Sequence, residues 1–257
     1  MIFGYDDKLE LFKKLIKNDD LSHAYLFYGE PEIGKFSFTK VLGNLLEGHN
    51  AGEEVPLLDS MFLEAAEGKT LGIEDVLRIQ EFLYQSPLLS KRRMAVVNDA
   101  GNLTREAQGA LLKIVEEPPE HSLIIFIAGD KRDLFEALLS RVEKIYFPAL
   151  PENKIRSGLS EFFGVDKIKA EKAAALSFGR FGRALMMTKE EKKHEEDNDD
   201  FEAELSSDIL KLYQEGVSKN YRILSWLLER QMSIKRYKRY NLNLKLQKKV
   251  VEGILKK

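Results

Sequence analysis

Seven consecutive residues constrain this chain more than any others: Gly29-Glu30-Pro31-Glu32-Ile33-Gly34-Lys35. They follow a short apolar run, Ala24–Tyr28, that reads as a buried strand. They lead into a stretch with Phe38, Val41, Leu42, Leu45 and Leu46 at helical spacing. A strand, a Gly-x4-Gly-Lys turn and a helix, in that order, make the frame of a phosphate-binding loop. In such a loop, backbone N–H groups and the positive helix N-terminus surround phosphate oxygens, and the lysine reaches the outer phosphates. Gly29, Gly34 and Lys35 are therefore candidate nucleotide-binding residues.

The rest of the first half fits the same frame. Helical spacing marks Leu9, Phe12, Leu15 and Ile16, then Val76, Ile79, Phe82 and Leu83. Thr104 is placed to cap a helix bearing Ala107, Leu111, Ile114 and Val115, which Pro118-Pro119 must stop. Met61–Glu64, Met94–Val97 and Lys144–Phe147 read as strands, and Leu123–Ala128 as a central strand covered on both faces. Such alternation predicts a mostly parallel sheet of about five strands between helices, over residues 1–150. From Glu152 onward only helical periodicity remains, with breaks expected at Gly158, Gly164, Gly179 and Gly182. A small helical domain is expected over 151–199 and an all-helical one over 200–257. Between them, Lys189–Asp200 is nearly all charged and reads as a linker or solvated helix end.

Two positions in the reaction centre break the pattern. A phosphate loop needs Ser or Thr after its lysine, because that hydroxyl ligates magnesium. Here the residue is Phe36, and Ser37 lies one step further round the helix, roughly 100° away. The metal-holding carboxylate expected after the next core strand is replaced by Asn98, leaving Asp99 as the only acid there. Glu30 and Glu32 add negative charge to a loop meant for a polyanion. The residues leave two readings open: ATP or ADP held without a productive magnesium, or a loop that kept its shape without its chemistry. Intrinsic hydrolysis is not expected from either; a self-sufficient ATPase is the alternative, and it needs the missing Ser or Thr after Lys35.

Composition removes other classes. The absence of cysteine excludes disulfides, a thiolate nucleophile and a Cys-based zinc site, and no histidine pair has metal-ligand spacing, so no metal is assigned. A net charge of −2 gives no whole-molecule attraction to nucleic acid. Charge is instead polarised locally: residues 194–208 carry eight acidic and no basic side chains, and 234–257 nine basic and one acidic. Within the latter, Lys235-Arg236-Tyr237-Lys238-Arg239-Tyr240 interleaves basic and aromatic residues, as a nucleic-acid contact or as a solvated helix face would. No apolar run reaches membrane-spanning length and no secretory signal is visible, so a soluble cytoplasmic protein is expected. His23, ahead of a strand, is expected to pack or cap.

Several segments together resemble the delta-prime subunits of the bacterial DNA polymerase III clamp loader, within the AAA+ superfamily. They are Ser22–Phe27, Ile73–Arg78, Arg93–Asn102, Ala107–Pro119 with its Ala-Leu-Leu-Lys and Glu-Glu-Pro-Pro elements, and Leu139-Ser140-Arg141-Val142. The resemblance covers about residues 2–190. It implies an AAA+ domain, a helical lid and a helical collar domain. It also implies a stator that does not hydrolyse ATP but joins gamma/tau motor subunits and delta in a ring that loads the sliding clamp on primed DNA. Arg141 matches the arginine of the family's Ser-Arg-Cys motif, which reaches across a subunit boundary to a neighbour's ATP; Val142 stands in for the cysteine. Departures from the pattern are also clear. The four-cysteine zinc module is missing, Gly129-Asp130 stands at the first sensor position, and Gly182 stands where motor subunits carry a sensor arginine, with Arg180 and Arg183 flanking it. The tail after residue 200 is about half the usual collar length.

Overall fold

The computed structural model describes residues 3–66, 69–193 and Ile209. The chain divides into two compact units, 1–188 and 189–257. The expected domain over 200–257 thus lies, Ile209 apart, outside the described residues, as does the basic stretch 235–240.

Strand and helix alternate as their periodicities predict: α1 Asp6–Asn18, β1 Ala24–Tyr28, α2 Lys35–Leu46, β2 Ser60–Glu64, α3 Ile73–Leu83, β3 Arg93–Asn98, α4 Arg105–Glu116, β4 Ser122–Ala128, α5 Glu136–Leu139 and β5 Glu143–Tyr146. The five strands form one parallel sheet in the order β2-β3-β4-β1-β5. This is the α/β architecture expected from the sequence.

Why β4 reads as unbroken apolar sequence is plain from its place at the centre, where every residue is buried. Alternate side chains serve opposite faces. Leu123, Ile125 and Ile127 join Phe12, Phe38 and Phe147 in one core, while Ile124, Phe126 and Ala128 join Val76, Ile79, Leu111 and Val115 in the other. Burying each such side chain contributes roughly 1.5–3 kcal/mol. The Thr104 hydroxyl accepts from the Ala107 N–H and starts α4 as expected, and the helix stops two residues before Pro118. His23 faces the Val115 carbonyl at 3.0 Å, a structural contact.

Three helices follow: α6 Glu152–Phe163, α7 Lys167–Ser177 and α8 Phe181–Lys193. Gly164 and Gly179 do break the chain, in left-handed backbone. The other two expected breaks are corrected. Gly158 sits inside α6 because only hydrogen fits there: a Cβ would come within 2.7 Å of the Phe3 ring and 2.8 Å of Phe181. Gly182 is the second residue of α8 for a similar reason, taken up with the site below. β5 begins one residue earlier than expected, and Phe147 leaves the strand while its N–H still donates to the Tyr28 carbonyl.

Candidate nucleotide loop and arginine site

In a parallel sheet the C-terminal strand ends lie along one edge. The loop after β1, Asp99 after β3 and Gly129-Asp130 after β4 therefore share that edge. Gly29 has φ +141°, and a Cβ there would come within 2.2 Å of the Phe147 carbonyl oxygen, so the residue that follows β5 demands the first glycine. Gly34, φ +105°, caps α2 in left-handed backbone. Between them Ile33 is buried in the core and anchors the loop.

Lys35 does not extend from this loop. It is 6% exposed, and its Nζ donates to the carbonyls of Gly29 at 2.5 Å and Glu30 at 2.6 Å. Burial pushes its ammonium down to about 8, against the opposing pull of the Glu30, Asp99 and Asp133 carboxylates. Asp133 belongs to none of the sequence motifs above. Its carboxylate accepts from the Asp130 N–H at 2.9 Å, closing a reciprocal cap on a short 3-10 turn. The Asp-x-x-Asp spacing of residues 130 and 133 is the signal available for it. Asp130 itself is held down to about 2 by the Arg132 guanidinium and backbone N–H.

The helical segment closes over the loop. The Glu32 residue has φ +62°, and its carbonyl accepts from the Gly182 N–H at 2.7 Å. A Cβ on Gly182 would lie 2.6 Å from that oxygen, so this contact requires glycine. Beside it, Phe181 lies on Phe3 with ring centroids 5.1 Å apart. Of the flanking arginines, Arg180 donates Nε to the Ser177 carbonyl and Arg183 lies over the Phe178 ring.

Magnesium does not fit what remains. The Phe36 ring packs edge-on against Phe62, centroids 5.6 Å apart, and Lys40 Nζ lies 4.9 Å over it. The nearby Thr39 hydroxyl donates to the Phe36 carbonyl at 2.8 Å. Ser37 lines a cleft of about 710 Å³ with Lys40, Asn44 and Ser60, and no residue of the Gly29–Lys35 loop borders it. Asn98 gives its amide to Glu64 at 2.9 Å, and Asp99, in left-handed backbone, accepts from Asn102 at 2.5 Å. The position that should offer a metal an oxygen offers a hydrocarbon ring.

Arg141 is not brought to this edge. It precedes β5, which runs parallel to β1 with Tyr25 opposite Glu143 and Tyr28 opposite Tyr146. It therefore stands at the N-terminal edge, roughly 15 Å of strand from the loop. There Nη1 donates to the Ala137 carbonyl at 2.8 Å and to Ser140 Oγ at 3.0 Å. Nη2 meets Glu116 Oε1 at 2.8 Å, with both side chains 40% exposed. Glu116 belongs to the Glu-Glu-Pro-Pro element, but nothing in the sequence pairs it with a residue so distant. Val142 is buried and packs as expected.

Comparison with known proteins gives four findings. The family described as "DNA polymerase III, delta subunit" matches residues 4–151. The DNA polymerase III subunit gamma/tau of Mycoplasma pneumoniae is 26% identical over 179 residues, covering 65% of this chain and 26% of that protein. The subunit delta' of Bacillus subtilis is 25% identical over 165 residues, covering 60% of this chain and 50% of that one. The chain thus spans half or less of these relatives. A gamma-subunit-related protein from Thermotoga maritima shares the fold, with TM-score 0.59 and 21% identity over 96% of this chain and 97% of that one. No described helix is long and apolar enough to cross a membrane.

Proposed function

Because the chain belongs to the DNA polymerase III delta subunit family, we propose that it is a stator-type clamp-loader subunit that does not hydrolyse ATP and lends Arg141 to a neighbouring gamma/tau-type motor subunit. In this reading it joins motor subunits and a delta subunit, and meets the sliding clamp and primed DNA through that assembly. Residues 151–199 serve as its lid and 200–257 as its part of a collar. Gly29, Gly34, Lys35, Phe36, Asn98 and Asp99 are vestiges of a nucleotide site that takes ATP or ADP, if either, without productive magnesium.

One observation carries the reading: Arg141 stands at the sheet edge opposite its own loop. A guanidinium there is out of reach of any phosphate in its own Gly29–Lys35 loop and is free to serve another subunit. Its present pairing is too weak to compete with that role. An exposed pair such as Arg141–Glu116 is worth about 0–1 kcal/mol. A finger that stabilises charge on a transferring phosphoryl group is worth about 10³–10⁵ in rate.

The test is Arg141→Ala in an assembly with a gamma/tau-type subunit. Size-exclusion chromatography should show the assembly intact while ATP turnover at the shared boundary falls by about 10³ or more. An intact assembly with unchanged turnover overturns the finger role. The gamma/tau relatives favour a second reading, a self-sufficient motor, but Phe36 and Asn98 stand against it.

A further inference from the structure

We infer that Glu116 is a positioning residue for Arg141, holding its guanidinium ready at the subunit edge. The inference rests on the proposed finger role and adds a residue to it. A carboxylate is ill placed at Glu116 by local rules. It is the last residue of α4, where unpaired carbonyls make the helix end negative and favour a cation. Lys113 is the base within the last turn, and the Glu116 carboxylate meets a cation from 25 residues on in the chain, Arg141 Nη2 at 2.8 Å.

The other contacts fix the plane of the fork. Nη1 donates to the Ala137 carbonyl and to Ser140 Oγ, and the Ser140 hydroxyl in turn donates to the same carbonyl at 2.9 Å. The backbone beneath is rigid: the Arg141 N–H donates to the Leu138 carbonyl at 3.0 Å, and Leu138 and Val142 are buried. Ile114 and Val115 anchor the α4 end in the same core. A guanidinium has five N–H donors. Two, both on Nη1, are taken by Ala137 and Ser140, and Nη2 meets Glu116 as an ion pair. Among the described residues the remaining N–H groups have no hydrogen-bond partner, so they remain for the oxygens of a neighbour's phosphate. Glu116 orders the arginine without using it up.

The experiment is a cycle of Glu116→Gln, Arg141→Ala and the double variant, each assembled with a gamma/tau-type subunit. ATP hydrolysis is followed under single-turnover and steady-state conditions, so that slow variants stay readable. Glu116→Gln is expected to lower kcat about two- to fivefold with KM unchanged, the ordering of one exposed pair. In the Arg141→Ala background the same change should do nothing, because no guanidinium is left to position. Equal losses in both backgrounds would mean a structural role and overturn the inference. So would a rise in kcat for Glu116→Gln, which would make the pair a restraint instead. If Arg141→Ala slows hydrolysis and Glu116→Gln does not, the inference fails while the finger role survives. If Arg141→Ala itself has no effect, both fail.

Discussion

The buried lysine of the phosphate loop makes the sharpest physical prediction. Lys35 has its ammonium pushed from an ordinary 10.5 down to about 8, chiefly by burial. Each tenfold loss of proton affinity is about 1.4 kcal/mol, so holding the protonated form in the folded state costs about 3 kcal/mol below pH 8. Between pH 8 and 10.5 the unfolded chain binds this proton and the folded chain releases it. Stability therefore rises with pH across that window. Lys35→Met keeps the length and removes the charge. Denaturant unfolding of both proteins at pH 7 and pH 10 isolates the effect, since every other titrating group is common to both. Relative to the variant, the parent chain should gain about 2–3 kcal/mol between those two pH values. A difference that stays flat would mean the ammonium is solvated, and the picture of a lysine folded back onto the Gly29 and Glu30 carbonyls would be wrong.

Other substitutions test neighbouring parts of the site. Gly182→Ala puts a methyl 2.6 Å from the Glu32 oxygen; displacing α8 should cost about 1–3 kcal/mol, read as a lower Tm. Phe36→Ser loses the Phe62 and Lys40 contacts and should destabilise by about 1–3 kcal/mol. It should show magnesium-dependent nucleotide affinity only when combined with Asn98→Asp, measured by titration calorimetry. Asp59 is 1% exposed. Burial raises its carboxyl, but the N–H groups of Ser90, Leu88 and Leu89 and the Ser90 hydroxyl outweigh that and hold it below the ordinary range. Its stabilisation should be present above pH 4 and lost as pH falls through the depressed value. Asp59→Asn should cost about 2–4 kcal/mol at pH 7 in urea unfolding and flatten that acid limb.

Much of the fold was legible because both faces of the sheet are covered. Leu123–Ala128 must then be apolar throughout, and the amphipathic helices α3 and α4 must show their spacing. The loop frame was legible because close approach of Phe147 and left-handed backbone leave only glycine at positions 29 and 34. Gly158 and Gly182 mislead as breaks because a glycine that admits a neighbouring ring or carbonyl looks, in sequence, like one that ends a helix. The Glu116–Arg141 pair and the Asp133 charge near Lys35 depend on how strands are ordered in space. No local pattern encodes that order. The direction of Lys35, back toward its own carbonyls, is likewise set by packing.

Whether this chain performs ATP chemistry of its own is best settled by ATP turnover of the purified chain with magnesium, beside its Lys35→Ala variant. With a phenyl ring at position 36 and an amide at 98, the two should be indistinguishable from each other and from buffer. Turnover in the range of about 1 s⁻¹ or faster, abolished by Lys35→Ala, would contradict the account.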